Sequence, residues 1–594
     1  MVNVKNLFGM AVMATALVGC SSNDNLNPNA NDNAGKAGEA YAKFTIQLPT
    51  VSGTRTVDSK TGTEFDGGTA DEYAVKDAQL VIFEKIGSSS SEGDYKFVET
   101  VNIGNLEPWS DQKPANQGVT RYSDITAKLE NVALNDSGDK YYALIILNNE
   151  GESKVTLPTL PTSGTSGTTY SAWNVAEKVQ DAAAFLDSRN GFYMSNAPLL
   201  KSGKPQTLVP IKGVYSTKAE AQNKPATTVY VERGMAKVTI GSTSFASKPV
   251  DATSSTIYSG DKVQITKWTL DVMNQKTFPV HTTTGLTDKF ANIWTTPRFF
   301  ASADPQRVYW GTDPNYSTTL NYVDACKGEF YLLDREGNTY NGVTGSTVTW
   351  ADQAKPLYCL ENTFDIDNMK QGQTTRVVFK ATYTPSVLAG VTTAADKTFF
   401  MIGNNPKIWT KTNLEQQIAN KAKELLNTTG TVNATISGDL LKGGSHLLTT
   451  GNVTIQEGTV AKNDDINFAD LNTKLGLNNT DKDVNGNPTV GIKTYENGEC
   501  YYIARIKHFN ELTSWSSGKE TYGTNNDTNN NLYLGRYGVL RNNWYDLEVT
   551  KFSAPGYPDV PVVNPKTPDD EDTKYINVEV KILDWAKRTQ QVEL

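Results

Sequence analysis

Short runs in which every second side chain is apolar recur along the whole of this chain, and stretches rich in Gly, Asn, Thr and Ser lie between them. That alternation is the spacing of a half-buried β-strand, because successive side chains of a strand point to opposite faces. Phe44-Thr45-Ile46-Gln47-Leu48-Pro49 near the start and Ile576-Asn577-Val578-Glu579-Val580-Lys581-Ile582 near the end show it most cleanly. Val75 to Phe83 and Tyr141 to Asn148 are apolar, β-branched and flanked by Gly, Asn and Asp, and residues 227–240, 263–272, 374–383 and 501–507 repeat the type. The linking residues supply turn chemistry and positive φ. The pattern predicts an all-β chain of antiparallel sandwiches, and its two successive strand-rich halves are compatible with two of them. Two helices are expected to interrupt it. Thr412-Asn413-Leu414-Glu415 has the form of a capping box, with Leu414, Ile418, Ala422 and Leu425 along one face. Asn174 to Asp187, with Val175, Val179 and Phe185 apolar, is the second.

The first residues address a compartment. Lys5 precedes an apolar run from Leu7 to Val18, of signal-peptide length and too short to span a bilayer. The run ends in Leu17-Val18-Gly19-Cys20, the form of a bacterial lipobox, so Cys20 is the expected lipidation site of an outer-membrane lipoprotein precursor. Residues 21–40 are rich in Asn, Asp, Ala and Gly and read as a spacer between lipid and protein. A formal net charge of −9 with no prominent basic run argues against nucleic acid as a partner. Beyond Cys20 there remain Cys326, Cys359 and Cys500, an odd set expected to be buried or half-buried thiols, with a single bridge as the alternative.

Catalytic chemistry is hard to place on this sequence, and no enzyme and no cofactor are expected. His281, His446 and His508 stand at no metal-ligand spacing from one another, and none lies near a nucleophile elbow. Cys359 has no histidine close by in sequence. Asp481-Lys482-Asp483-Val484-Asn485-Gly486 imitates the first half of an EF-hand loop, but Ile492 occupies the position of the bidentate Glu. Two explanations suit it: an Asn/Asp/Gly surface turn, and a loop that holds calcium weakly through Asp481, Asp483 and Asn485.

The two clean strands carry the functional expectation. Directly after the first comes Val51-Ser52-Gly53-Thr54-Arg55-Thr56-Val57, a small-residue loop around a lone arginine. Ahead of the last comes a segment with Pro555, Pro558, Pro561, Pro565 and Pro568 and the acidic run Asp569-Asp570-Glu571-Asp572, read as an extended, solvated tether. A disposable first strand and a tethered last strand describe a subunit that polymerises by exchanging strands. Loss of Phe44, Ile46 and Leu48 leaves an apolar groove with unpaired backbone edges, and Ile576, Val578, Val580 and Ile582, sharing one face, would fill it. Head-to-tail donation of this kind does not close, so its product is a filament. The competing class is a surface lipoprotein that binds glycan or another ligand, with Trp173, Trp294 and Trp310 as platform residues.

Val231-Glu232-Arg233-Gly234-Met235-Ala236-Lys237-Val238, the strand Trp268 to Asn274, Tyr358 to Thr363 and Tyr537 to Tyr545 occur in an order and spacing that resemble the fimbrillins of Bacteroidales type V pili, and among them the short, or minor, fimbrillins. The ending, with Val578-Glu579-Val580, Trp585 and Val592-Glu593-Leu594, is similar too. The resemblance implies export as a lipoprotein, surface display, and cleavage by an arginine-specific protease after the first strand, where Arg55 and Thr56 flank the matching bond. It also implies two transthyretin-like antiparallel β-sandwich domains, meeting near residues 225–245, and a shaft subunit in a cell-surface fimbrium, with other copies of itself, anchor and tip subunits, and host or bacterial surface ligands as partners. The expected organisation is then 1–19 signal peptide, 20–55 propeptide, 56–240 and 241–554 sandwiches, 555–574 tether and 575–594 donor strand.

Overall fold

The structure is a computed structural model. It describes residues 39–49, 69–106, 110–111, 119–158, 167–175, 191–286, 308–508 and 534–583, less breaks at 90, 136–137, 150–154, 202–203, 254–255, 309, 342–344, 392, 394–396, 484–485, 487, 568 and 570–575. These residues are mostly strand with a few short helices, as the alternation predicts.

The first body is a nine-stranded sheet. Its main strands are β1 (Ala40–Pro49), β2 (Ala78–Glu84), β3 (Lys96–Asn102), β4 (Val119–Leu129), β5 (Tyr141–Leu147), β6 (Met194–Asn196) and β7 (Thr227–Arg233). They lie in the order β3-β2-β5-β6-β7-β1-β4. The sheet curls on itself, so that Phe44 and Ile46 of β1 share a core with Leu80 and Ile82 of β2, Ala143 and Ile145 of β5 and Val229 and Val231 of β7. The opposite face of β2 and β5 is covered as well, with Phe83, Leu144 and Ile146 packed among Trp173, Phe192 and Tyr193. Burial on both faces explains why Tyr141 to Leu147 is continuously apolar and does not alternate.

The second body is a sandwich of β8 (Met235–Ile240), β9 (Lys262–Asp271), β10 (Leu357–Leu360), β11 (Arg376–Thr384), β14 (Glu499–Arg505), β15 (Trp544–Phe552) and β16 (Ile576–Leu583), with β12 (Phe399–Ile402) and β13 (Ile492–Tyr495) in an inserted module. One sheet runs β10-β8-β15-β16 and the other carries β9-β11-β14. Val238, Trp268, Phe379, Tyr502, Leu547 and Phe552 meet between them. Residues 227–240, expected as one strand, are two: β7 ends the first sheet and β8 starts the second. Gly234 separates them, and its N–H donates to the Tyr193 carbonyl at 2.9 Å. An isolated glycine in a strand pattern often marks a break, and here it marks the crossing between sheets. The bodies share a topological feature: the first strand of each lies parallel to its last long internal strand, β1 beside β7 and β8 beside β15.

Between β11 and β14 the inserted module has its own core, in which Phe400 and Ile402 pack with Leu414, Ile418 and Ala422 of the helix Lys411–Leu426. The buried face is the expected one. The cap is not: Thr410, two residues before the predicted Thr412, accepts from the Asn413 N–H at 3.3 Å. Glu415, predicted to close a capping box, accepts from the Ile436 N–H at 3.1 Å and so ties the helix to the neighbouring strand. Of the expected helix 174–187, all but Asn174 and Val175 lies outside the described residues.

A buried polar junction joins the two bodies. Glu72, in the helical turn Ala70–Tyr73 of the first, receives Lys237 Nζ and the Tyr358 hydroxyl, each at 2.7 Å. Burial pushes the Glu72 carboxyl up, but these donors outweigh it and the net direction is down. The Arg233 guanidinium donates to the Glu72 carbonyl and to Asn542 Oδ1. Further along, the fully buried Arg541 donates to Glu361 at 3.2 Å and to Thr277 Oγ1 at 2.9 Å, while His281 pairs with Glu232 at 2.7 Å. Arg541→Met should therefore lower stability by about 3–5 kcal/mol, because Glu361 is left as a buried, uncompensated charge. Urea denaturation of Arg541→Met beside the surface control Lys407→Met measures it, and equal effects of the two would refute the assignment.

Candidate strand-exchange groove

β1 fills a slot in the middle of the first sheet. On one side it runs antiparallel to β4 along its whole length, from Ala40 opposite Leu129 to Pro49 opposite Val119. On the other it runs parallel to β7, from Phe44 opposite Thr227 to Gln47 opposite Tyr230. Ala40, Ala42, Phe44, Ile46 and Leu48 all point into the core and are buried. The other face is covered too: Thr45 Oγ1 donates to Asp124 at 2.5 Å, Lys43 Nζ donates to the Gln222 carbonyl at 3.2 Å, and Tyr41 and Tyr215 exchange backbone hydrogen bonds. A strand paired on both edges and buried on one face is core structure, not an appendage. Yet the description stops at Pro49 and resumes at Thr69, so β1 stands at the end of the segment that carries Arg55. Arg55, Thr56 and Cys20 lie outside the described residues.

β16 is placed differently. It pairs antiparallel with β15 of its own chain, from Trp544 opposite Leu583 to Phe552 opposite Ile576. It stands at the margin of its sheet, with one neighbour where β1 has two. Ile576, Val578, Val580 and Ile582 thus lie on a strand folded back on the second body of the same chain.

The expected solvated tether is largely a strap. Pro555, Pro558, Val560, Pro561, Val563 and Pro565 are buried. Tyr557 and Tyr501 exchange backbone hydrogen bonds at 2.8 Å in both directions, Asp559 pairs with Arg335, and the Arg376 guanidinium donates to the Pro561 carbonyl. Asp569, expected to help keep the segment in water, is buried and ion-paired to Arg505. Proline favours extended backbone whether or not the chain is free, and these prolines lie flat against apolar surface.

The remaining candidates fall elsewhere. Cys326, Cys359 and Cys500 are free and buried. Burial pushes the Cys359 and Cys500 thiols up to about 12 and that of Cys326 to about 11, so none forms a thiolate near neutrality. His508 Nδ1 meets the Tyr545 hydroxyl at 2.7 Å and His446 Nε2 the Lys442 carbonyl at 3.0 Å. The aromatic platform is corrected: Trp173 and Trp310 are buried in the core, where no ligand face is open, and Trp294 lies outside the described residues. The Asp481 carboxylate accepts from the Asn478 side-chain amide at 2.8 Å and the Asp483 backbone carbonyl from the Gly486 N–H at 3.0 Å, within a small hairpin. Asn485 lies outside the described residues, and among those described no group of three or more His, Cys, Asp or Glu converges to hold a metal ion.

Residues 493–591, which run from within β13 through β14, β15, the strap and β16, match the family model for the C-terminal part of fimbrillin, the major fimbrial subunit protein type IV. No curated protein sequence matches the chain significantly. Among solved structures it is similar to a candidate cell adhesion protein from Parabacteroides distasonis ATCC 8503, at 11% identity, covering 93% of this chain and 99% of that one, with a TM-score of 0.35. A fimbrial assembly protein from the same organism matches at 11% identity over 58% of this chain and 96% of its own, TM-score 0.23. The tip fimbrial protein Mfa3 from Porphyromonas gingivalis, with C-terminal truncation, matches at 10% identity over 58% and 81%, TM-score 0.21. The matched stretch, 493–591, contains the second sandwich's closing strands, the strap and β16.

The slot makes a quantitative claim about the uncut chain. Phe44→Ala removes a fully buried ring and should cost about 3–5 kcal/mol, whereas Lys43→Ala, on the outer face, should cost no more than about 0.5 kcal/mol. Chemical denaturation of the full-length chain reads the difference, and comparable losses would mean that β1 is not seated in the slot.

Proposed function

We propose that this chain is a structural shaft subunit of a cell-surface fimbrium that polymerises by strand exchange after proteolysis at Arg55. Under this proposal the precursor is an outer-membrane lipoprotein held through Cys20, and an arginine-specific protease cuts between Arg55 and Thr56. The cut separates β1 from the body that it completes. Departure of β1 opens the slot between β4 and β7, and the strand Ile576 to Ile582 of a second copy enters it. No catalytic role is assigned to any residue.

The observation that carries this reading is the contrast between the two terminal strands. β1 occupies a doubly paired, buried slot beside the arginine segment, whereas β16 occupies a margin with one partner. A strand that moves from a margin into a central slot gains a second row of backbone hydrogen bonds and a core to fill. Each Val or Ile side chain transferred from water into that core contributes roughly 1.5–3 kcal/mol. The fimbrillin match over the segment that ends in β16 supports the same role. The filament's partners follow as further copies of the chain along the shaft, with anchor and tip subunits at its ends and surface ligands as adhesive targets.

Truncation after Thr573 should give a folded, processed subunit that stays monomeric, because it removes the donor and takes from the second body only its marginal strand β16. Val578→Asp or Val580→Asp should act almost as strongly, since an unpaired carboxylate in an apolar slot costs several kcal/mol, while Glu579→Ala should assemble normally. Arg55→Ala should retain the acylated precursor. Filament yield by sedimentation, with N-terminal sequencing of the assembled protein, decides the matter. Polymers from the truncated chain, or Cys20 still acylated within filaments, would overturn the proposal.

A further inference from the structure

The strap differs from both strands that it lies between, and its contacts bear on how subunits meet. We infer that Pro555 to Asp569 stays bound to its own second body when β16 leaves, so that the segment crossing to the neighbouring subunit starts after Asp569. This inference rests on the strand-exchange reading above and specifies its geometry.

The strap is held along its length by contacts of different kinds. At its start, Tyr557 adds to the open edge of β14 through the reciprocal hydrogen bonds with Tyr501. Val560 then packs with Leu333, Val378, Tyr501 and Ile503, and the Val560 N–H donates to the Arg335 carbonyl at 3.2 Å. Arg376, itself buried and paired with Asp271 at 2.7 Å, reaches the Pro561 carbonyl. Val563 joins a separate apolar cluster with Cys326, Phe330 and Leu332. The Gln371 N–H donates to the Thr567 carbonyl at 3.0 Å, and the Asp569 N–H to the Met369 carbonyl at 3.0 Å. The last anchor is the strongest: Arg505 and Asp569 form an ion pair whose side chains are 7% and 3% exposed. Peeling the strap would strand Arg505 without its counter-charge, and a buried charge stripped of its partner is strongly unfavourable. None of these contacts is made by β16, whose strand pairing among the described residues is with β15.

Geometry follows from where the last anchor sits. Residues 570–575 span at most about 20 Å when fully extended, whereas 555–575 released as a whole would span about 70 Å. With the strap docked, the β4–β7 slot of the second copy has to lie within that shorter reach of Asp569. The first body of one subunit is thereby seated against the end of the second sandwich formed by Met369, Arg505 and Asp569 of another. A short crossing also sets a stiff junction with a fixed axial repeat, because little slack remains to be ordered.

A reversible cross-link tests this. Reciprocally bonded antiparallel residues sit about 5.5 Å apart at Cα, within the range that a disulfide bridges, so Tyr501→Cys with Tyr557→Cys should lock the strap to β14 on oxidation. Processed, oxidised double variant should assemble as fast as its reduced form. Oxidised protein that remains monomeric until reductant is added would overturn the inference, since the strap would then have to lift. Hydrogen exchange on the unmodified chain gives a second readout that needs no variant to fold: the amides of Tyr557, Val560 and Asp569 should show no loss of protection between monomer and filament. Loss of protection at all three on assembly would overturn it as well. Failure of strand exchange itself looks different, as it leaves the chain truncated after Thr573 still able to polymerise.

Discussion

The backbone edges of β4 and β7 need a strand between them. Each edge presents N–H and C=O groups that are paired in this structure only because β1 lies in the slot, and unpaired groups of this kind, once buried, are costly. The apolar floor of the slot adds to the demand, because Leu80, Ile145 and Val231 line the same core that Phe44 and Ile46 complete. The first body is therefore whole only with a strand of this shape in place, and the chain's own β1 is one solution. Any other segment that fills the slot has to alternate apolar and polar residues over a similar length, and Ile576 to Ile582 has that sequence pattern.

Much of this was legible from the residues, for reasons that differ by element. The strict alternation of β1 and β16 and the continuous run of β5 announced strands because periodicity is imposed directly by burial. The helix Lys411–Leu426 announced its buried face through Leu414, Ile418 and Ala422, but its start was misplaced: Thr410 and Thr412 are both competent caps, and only packing decides between them. Residues 227–240 looked like one strand because β-forming residues continue on both sides of Gly234; the alternation shifts phase there, from Val229 and Val231 to Ala236, Val238 and Ile240, but local pattern holds no record of which sheet a strand joins. The strap was missed because prolines and acids in sequence signal solvation. Asp569 is buried only through Arg505, a partner far away in the chain.

The stretches that carried the resemblance to fimbrillins turn out to sit together. Glu232, Arg233 and Lys237 come from the first of them, Tyr358 and Glu361 from another, and Arg541, Asn542 and Trp544 from a third. In the fold they meet at the junction of the two bodies, where Lys237 lies over the Trp544 ring at 3.8 Å and pairs with Glu72. These charged residues are buried, so their identities are fixed by partners and geometry and leave little room for substitution. Glu72 follows the Arg55 segment in sequence and is anchored to the second body, so under the proposed cleavage Glu72 would stay pinned at the junction.

The proposed exchange also needs a reason for the cut, and tethering supplies one. While β1 is covalently joined to the body through residues 50–68, it competes for its slot at the effective concentration of an intramolecular segment, which is of order millimolar for segments joined by short linkers. A donor strand on a second copy, at far lower concentration, loses that competition however well its side chains fit. Cleavage after Arg55 does not weaken a single contact of β1. It turns β1 into a ligand that can dissociate and be diluted away, and thereafter the strand that is itself tied to a subunit by a short crossing holds the advantage. Position of the scissile bond matters for the same reason: in the loop after β1, it separates strand from body while leaving the β4 and β7 edges that the incoming strand requires.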